Sequence, residues 1–241
     1  MKISIIVPAF NEEKLIATSL REIKKACAAF SDEGWQTEII VCDNNSKDRT
    51  AELSRAEGAT VIFEGVNQIA RARNSGARAA AGDWLIFIDA DSHPSRALLA
   101  DVAVQIRKGN VLAGGATVTL DQPFLGARLL LGGWNRLSRF KRWAAGSFIF
   151  CEAAAFRQIG GFSEELFVSE EIDLSKRLKI LANQIGKRMV ILHRHPLVTS
   201  ARKIRLYSPW EHISFLIKTA LGRGRTLRNR AACPIWYDGR R

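Results

Sequence analysis

Gly82-Asp83-Trp84-Leu85-Ile86-Phe87-Ile88-Asp89-Ala90-Asp91-Ser92-His93 is the stretch that decides the fold. Its five successive apolar residues, Trp84 to Ile88, are too few and too uniform for an amphipathic helix. They predict a strand buried on both faces, as in a parallel sheet covered by helices. The strand ends on two carboxylates. In open α/β sheets ligands sit beyond the carboxyl ends of the strands, where Asp89 and Asp91 leave the strand within one turn of chain. Acids at i and i+2, followed by the turn formers Ser92 and Pro94, suit a hard divalent cation held through oxygen. An Asp-rich turn without a metal is the plainer reading of the same residues.

Upstream, the same grammar repeats. Ile3 to Val7 predicts a strand that runs into Pro8-Ala9-Phe10-Asn11-Glu12-Glu13, with Asn11 as an N-cap and Leu15, Ile16, Leu20, Ile23, Cys27 and Phe30 at helical spacing. Glu38 to Cys42 predicts a second strand, delivering Asp43-Asn44-Asn45-Ser46-Lys47-Asp48 at its exit. A carboxylate such as Asp43 can accept the imide N–H of a uracil. Asn44 to Asp48 reads as an Asx-rich turn capping a helix over 49–57, stopped by Gly58. A third strand, Thr60 to Phe63, leads to a helix whose Ala70, Ala77, Ala80 and Ala81 form a small-residue face able to approach the sheet closely. Arg73 on this helix stands just before the Asp-x-Asp strand, where a guanidinium can hold a diphosphate or orient an aspartate; a surface arginine is the alternative. The alternation β-α-β-α-β-α-β, with polar residues at each strand exit, predicts a doubly wound α/β sheet. Gly-x-Gly-x-x-Gly and Gly-x-x-x-x-Gly-Lys-Ser/Thr are both absent, which removes most support for a dinucleotide-binding domain or a P-loop nucleotidase.

The 241 residues, 47% hydrophobic, are enough for one large globular domain with a modest appendage. The apolar run at the N-terminus is too short for a signal peptide, and no run approaches the roughly 20 apolar residues that span a bilayer. Cys27, Cys42, Cys151 and Cys233 are scattered, so buried thiols in a reducing cytoplasm are expected rather than disulfides or ligands. The net charge of +12 is lopsided: residues 1–175 hold 20 Lys and Arg against 22 Asp and Glu, while residues 176–241 hold 16 against two. A basic C-terminal quarter attracts anions, whether phosphates, anionic headgroups or nucleic acid.

Four stretches together, Ile5 to Glu13, Val41 to Thr50, Ala72-Arg73-Asn74-Ser75-Gly76 and Phe87 to Ser92, resemble in order and spacing the successive motifs of glycosyltransferase family 2, which has the GT-A fold. The resemblance spans roughly the first hundred residues. It implies a nucleotide-diphosphate sugar donor, UDP-sugar favoured, contacted by Pro8, Ala9, Asn11, Glu12, Asp43, Arg73, Asn74, Asp89 and Ala90. It also implies a divalent cation, Mn²⁺ or Mg²⁺, bridging the diphosphate to Asp89 and Asp91. The GT-A fold implied is a mixed, mostly parallel sheet flanked by helices.

The second half is expected to supply the acceptor side. Asn110 to Thr119 reads as a β segment interrupted at Gly114-Gly115, and Ala144 to Phe150 as a buried strand. Residues 124–143 mix Leu and aromatics with Arg and Lys, and read either as a helix packed on the domain or as an interface-seeking segment or acceptor-site wall. In Ser169-Glu170-Glu171-Ile172-Asp173-Leu174, Ser169 predicts an N-cap and the two glutamates lie beside the positive end of a helix. The family usually carries Glu-Asp here, with the second acid as catalytic base. The resemblance therefore makes Glu171, with Glu170, the catalytic pair, though glutamate is one methylene longer; helix capping is the other reading. Asp173 and Arg177 predict an i,i+4 pair. After a strand at Met189 to Leu192 come His193 and His195; many GT-A enzymes use a late histidine as a further metal ligand, and Pro196 tips the choice to His195. Thr199, Ser200, Arg202 and Lys203 add groups suited to phosphate oxygens. Residues 208–221 form an amphipathic pattern, followed by Arg223, Arg225, Arg228 and Arg230, as peripheral attachment to an anionic bilayer requires; a partner-binding tail has the same pattern.

The expected organisation is a GT-A catalytic domain over 1–205, with a nucleotide-sugar half (1–100) and an acceptor half (101–205), and a basic amphipathic extension over 206–241. The expected reaction is metal-dependent, inverting transfer to an acceptor hydroxyl, lipid-linked in the favoured case, in a cytoplasmic protein peripheral to the inner membrane face. The rivals are a sugar-1-phosphate nucleotidylyltransferase, disfavoured by Pro8-Ala9-Phe10-Asn11 where a Gly-rich loop belongs, and a nucleic-acid- or anionic-membrane-binding protein on a GT-A-like scaffold without catalysis. Strand-end acids repel nucleic-acid phosphates, which counts against nucleic acid as a partner.

Overall fold

Both faces of the central strands are covered, so their apolar runs need no alternation. The computed structural model describes residues 1–122, 125–202 and 225–233. In chain order the elements are β1 (Lys2–Ala9), α1 (Ile16–Ala26), the short α2 (Ala28–Ser31), β2 (Gln36–Asp43), α3 (Thr50–Ala56), β3 (Thr60–Phe63), α4 (Ile69–Ala79), β4 (Trp84–Ile88), β5 (Ser92–His93), α5 (Arg96–Arg107), β6 (Val111–Leu120), α6 (Leu125–Lys141), β7 (Phe148–Glu152), α7 (Ala153–Gln158), α8 (Glu170–Gln184) and β8 (Arg188–Thr199). Two 3₁₀ turns follow, Arg225–Arg228 and Arg230–Ala232.

The sheet runs β3-β2-β1-β4-β7-β6-β8-β5. The first four strands are parallel, β7 runs antiparallel to β4 and β6, and β8 is parallel to β6. Side chains alternate along β1 and β4. Ile3, Ile5, Trp84 and Ile86 pack on one face with Leu20 and Ile23 of α1 and Leu99 and Val102 of α5. Ile6, Leu85 and Phe87 pack on the other with Ala70 and Ala77 of α4 and Leu174 and Leu178 of α8. Helix α4 lies close to the sheet, since a Cβ on Gly76 would stand 2.4 Å from Ile6. Of the four alanines expected on its sheet-facing side, Ala70 and Ala77 are buried in the helix, Ala80 is buried just past its end and Ala81 is exposed. The four cysteines are buried and free, and burial pushes the Cys27 and Cys42 thiols up to about 12, which leaves them protonated and inert.

Several local expectations are corrected. Helix α1 begins at Ile16, not beside Asn11, which sits at φ 51° with its side-chain oxygen accepting from Lys47 N at 2.8 Å. Gly114-Gly115 does not break β6; the register shifts lie elsewhere, between Val111 and Ala113 and between Ala116 and Val118. These glycines are there for lack of room, because a Cβ on Gly114 would meet the Phe150 ring at 2.4 Å and one on Gly115 would meet Ala144 at 2.6 Å. The strand expected from Ala144 starts only at Phe148; 144 and 145 are irregular and 146–147 form a turn. Ser169 precedes α8 in the left-handed region (φ 67°) and makes no side-chain cap. Strand β8 continues to Thr199, so His193 and His195 lie within it. Residues 208–221 and 234–241 fall outside the described residues. Among those described, no helix is long and apolar enough to cross a membrane.

Candidate active site

Parallel strands β1, β2 and β4 end at the same edge of the sheet and place their exits side by side. Ala9 is the register partner of Asp43, and Asn44 N donates to Ala9 O at 2.8 Å. Asp43 Oδ1 accepts from Ser46 N at 3.1 Å, while Asn11 N donates to Ser46 Oγ at 3.0 Å, so the two exits are stitched together. Pro8 and Ala9 are buried in β1. The Glu12 carboxylate, also buried, accepts from one Arg202 nitrogen at 2.8 and 2.7 Å, and so joins the β1 exit to the end of β8.

Next to this cluster is a pocket of about 280 Å³, lined by Arg73, Asp89, Asp91, Gly146, Glu170 and Glu171, among others. Ser200 and Thr199 from the end of β8 and Leu131 from α6 complete its wall. Arg73 is its hub and is 1% exposed. Its guanidinium donates to Glu170 Oε1 at 2.7 Å, to Asp89 Oδ1 at 2.9 Å and to the Gly146 carbonyl at 2.7 Å. Its flat face lies 5.2 Å from the centre of the Phe162 ring, which is packed against Phe87 and Phe156. A planar five-donor fork on an aromatic floor is a task lysine cannot perform. Arg73 Nε is buried and has no hydrogen-bond partner among the described residues.

Asp89 and Glu170 thus share one guanidinium, and Glu171 feels its charge. Burial, then the charge of Glu171, pushes Glu170 up to about 8 against the pull of Arg73. Burial likewise raises Glu171 above the ordinary carboxylate range, with Arg73 opposing. A raised carboxyl is suited to taking up a proton near neutral pH. Glu170 is tied to Arg73, whereas Glu171 lines the pocket beside Gly146, from which a Cβ would reach its Cδ at 3.5 Å.

Asp89 and Asp91 both line the pocket, and Asp91 is additionally held by Ser200 N donating to its carbonyl at 3.1 Å. Among the described residues no group of three or more His, Cys, Asp or Glu is placed to hold a metal ion. Two carboxylates with hydroxyl neighbours do fit a hard cation whose remaining ligands are substrate phosphates and water, as Mg²⁺ is usually bound. His195 does not join them: its Nδ1 lies 2.9 Å from Asp101 Oδ2 on α5, and the side chain is absent from the pocket. The acid on α5 holds it there. His193 lines a different groove. Asn74 is bonded to the turn after α7. Its amide nitrogen donates to Phe162 O and Glu164, and its oxygen accepts from Phe162 N. Asp173 and Arg177 form the expected i,i+4 pair at 2.6 Å.

Two contributions had no local signal. The Gly146 carbonyl, in a stretch expected to be strand, fixes Arg73. Residues 225–233, assigned to the extension, reach the rim: Leu227 O accepts from Phe167 N at 2.7 Å, and Arg228 pairs with Glu165 at 3.2 Å.

The described architecture matches known proteins. The family model for Glycosyl transferase family 2 matches residues 4–159. The undecaprenyl-phosphate 4-deoxy-4-formamido-L-arabinose transferase of Pseudomonas paraeruginosa is 34% identical over 101 residues, covering 37% of this chain and 27% of that protein. The first curated relatives share only such stretches, covering 24–30% of their own lengths. Among solved structures, the mannosyltransferase PcManGT of Pyrobaculum calidifontis in complex with GDP-Man and Mn²⁺ has a TM-score of 0.63 at 21% identity, over 85% of this chain and 60% of that one. TarS of S. aureus in complex with UDP-GlcNAc has a TM-score of 0.62 at 20% identity, over 83% and 58%. The fold is therefore GT-A. The nucleic-acid-binding reading draws no support from these matches.

Proposed function

The chain belongs to glycosyl transferase family 2, and from that premise we propose that it moves a sugar from a nucleoside diphosphate, UDP in preference, to an acceptor hydroxyl, with Glu171 as general base. The observation that carries this is the convergence of Arg73, Asp89, Asp91 and Glu171 on one pocket beside the Ala9–Asp43 strand exits. Glu171 takes the proton of the acceptor hydroxyl, the oxygen bonds to the anomeric carbon, and the carbon–oxygen bond to the diphosphate breaks with its electron pair leaving on the diphosphate. Attack opposite the departing group inverts that carbon in one displacement. Asp91 and Asp89 would hold Mn²⁺ or Mg²⁺, which supplies charge neutralisation for the diphosphate. Arg73 holds Asp89 in place, and Glu170 acts as a positioning residue for Arg73. Asp43, at the base-side exit, is the acceptor for a uracil imide N–H. A relative named for undecaprenyl phosphate supports a lipid-linked acceptor and a peripheral place at the inner membrane face.

The test is a thermal-shift titration with UDP, GDP and their sugars, with and without Mn²⁺. Ligand at 100 times its Kd stabilises the native state by about 2.7 kcal/mol. Stabilisation by a UDP-sugar with Mn²⁺, lost in Asp91→Ala and kept in Glu171→Gln while transfer disappears, is the expected pattern. Silence across the nucleotides would overturn the proposal.

A further inference from the structure

A second groove, of about 500 Å³, lies between the C-terminal half of α6 and the start of β8, away from the carboxylate pocket. Arg136, Arg139, Arg142 and Arg188 line it together with the apolar Phe140, Met189 and Val190. Arg73, Arg177 and Arg202 each have an acidic partner; none of these four does among the described residues. Helix α6 contains no acid at all. Like charges gathered without counter-charges repel one another unless an anion is bound. A helix dipole favours cations in the last turn of α6, which accounts for Arg139 but not for Arg188 on the neighbouring strand.

Beside the arginines are large apolar side chains in water: Leu130 is 76%, Leu137 41% and Phe140 79% exposed. They are not needed to seat the helix. Its inner face is fixed by Asn135, whose amide exchanges two hydrogen bonds with Val118 at 3.0 and 2.9 Å, by Ser138 bonded to Trp143 O, and by Leu131 in the wall of the carboxylate pocket. The outward face is left both basic and apolar. Nucleic acid or a small phosphate would match the charge alone; a bilayer surface of anionic lipids matches both properties.

We propose that the outer face of α6 docks on an anionic bilayer, with Phe140 and Leu137 entering the headgroup layer and the arginine groove holding a phospholipid phosphate. This deepens the lipid-linked acceptor of the proposed function and rests on that reading for its purpose. Leu131 walls the carboxylate pocket from the inner side of the same helix, roughly 14 Å along the axis from Phe140 at 1.5 Å per residue. Docking here brings the membrane to the edge of the acceptor side.

The test is co-sedimentation of the full chain with phosphatidylcholine vesicles with and without phosphatidylglycerol. Binding only to the anionic vesicles is expected, roughly 30-fold weaker in Arg136→Gln/Arg139→Gln at about fivefold per arginine, and clearly weaker in Phe140→Ser. Unchanged binding in both variants overturns the proposal. So does full displacement by soluble glycerol 3-phosphate, which would mark a small-anion site, and so does retention on duplex DNA with none on vesicles. UDP-induced stabilisation should equal wild type in both variants, which shows that they are folded. If wild type shows no nucleotide response but the vesicle pattern holds, the enzymatic reading fails and the docking face stands; the reverse result removes the docking face alone.

Discussion

Arg73 and Glu170, 97 positions apart in the chain, meet at 2.7 Å in the interior. Their partners come from four elements or turns, so no single element is responsible for the geometry. Arg73→Met would leave the buried Glu170 and the half-buried Asp89 without their cation, and breaking a buried pair costs about 3–5 kcal/mol. Adding Glu170→Gln replaces the carboxyl that has lost its guanidinium with a neutral amide. The double variant should therefore be more stable than the sum of the singles by about 1 kcal/mol or more. Urea denaturation of the four proteins checks this, and strict additivity would refute it.

The raised Glu170 carboxyl predicts a pH dependence of stability. Its folded value, about 8, lies above the ordinary 4.5, so the fold favours the neutral form. The stability this contributes is fully present below about 4.5 and is lost as pH rises through about 8. Glu170→Gln mimics the neutral acid at every pH. The wild type should therefore lose stability relative to Glu170→Gln as pH rises across that window, read as urea midpoints at successive pH values. A pH-independent difference would mean that Arg73 keeps the carboxylate ionised throughout.

Burial separates two otherwise similar ion pairs. Arg202 and Glu12 are 18% and 5% exposed at their side chains, whereas Arg49 and Glu52 are 65% and 63% exposed. Arg202→Met should cost about 3–5 kcal/mol, and Arg49→Met far less. Equal losses in thermal or chemical unfolding would refute the distinction.

Two glycines should respond with opposite signs to alanine. At Gly114 a Cβ would meet the Phe150 ring at 2.4 Å and the Val190 carbonyl at 2.6 Å, and such overpacking costs about 1–3 kcal/mol. At Gly132, within α6, nothing lies within 4 Å, and alanine should stabilise the helix by about 0.5–1 kcal/mol. Melting temperatures of Gly114→Ala and Gly132→Ala decide both.

The strands were legible because burial on both faces leaves an unbroken apolar run, and the acids at their exits because polar residues there have no structural duty in the sheet. What was illegible depends on partners distant in sequence. Asn11 has the chemistry of a cap, but Lys47 N from the neighbouring loop claims its oxygen. Asn74 stands next to Arg73 in the chain, yet its amide is spent on Phe162 and Glu164. His195 meets Asp101, 94 positions away, which no spacing announces. β8 outran its apolar core because pairing with β6 carries it on to Thr199 through exposed, basic residues.

That last feature bears on how the molecule avoids its own copies. β8 pairs on its outer side with β5 only at Val198 and Thr199, so its earlier residues are an unpaired sheet edge among the described elements. Arg188 and Arg194 stand exposed along it. A second molecule aligning there to extend the sheet would set arginine against arginine, a barrier with a range of about 10 Å at 0.1 M salt and about 3 Å at 1 M. Concentrated salt should therefore erode this protection against self-association first.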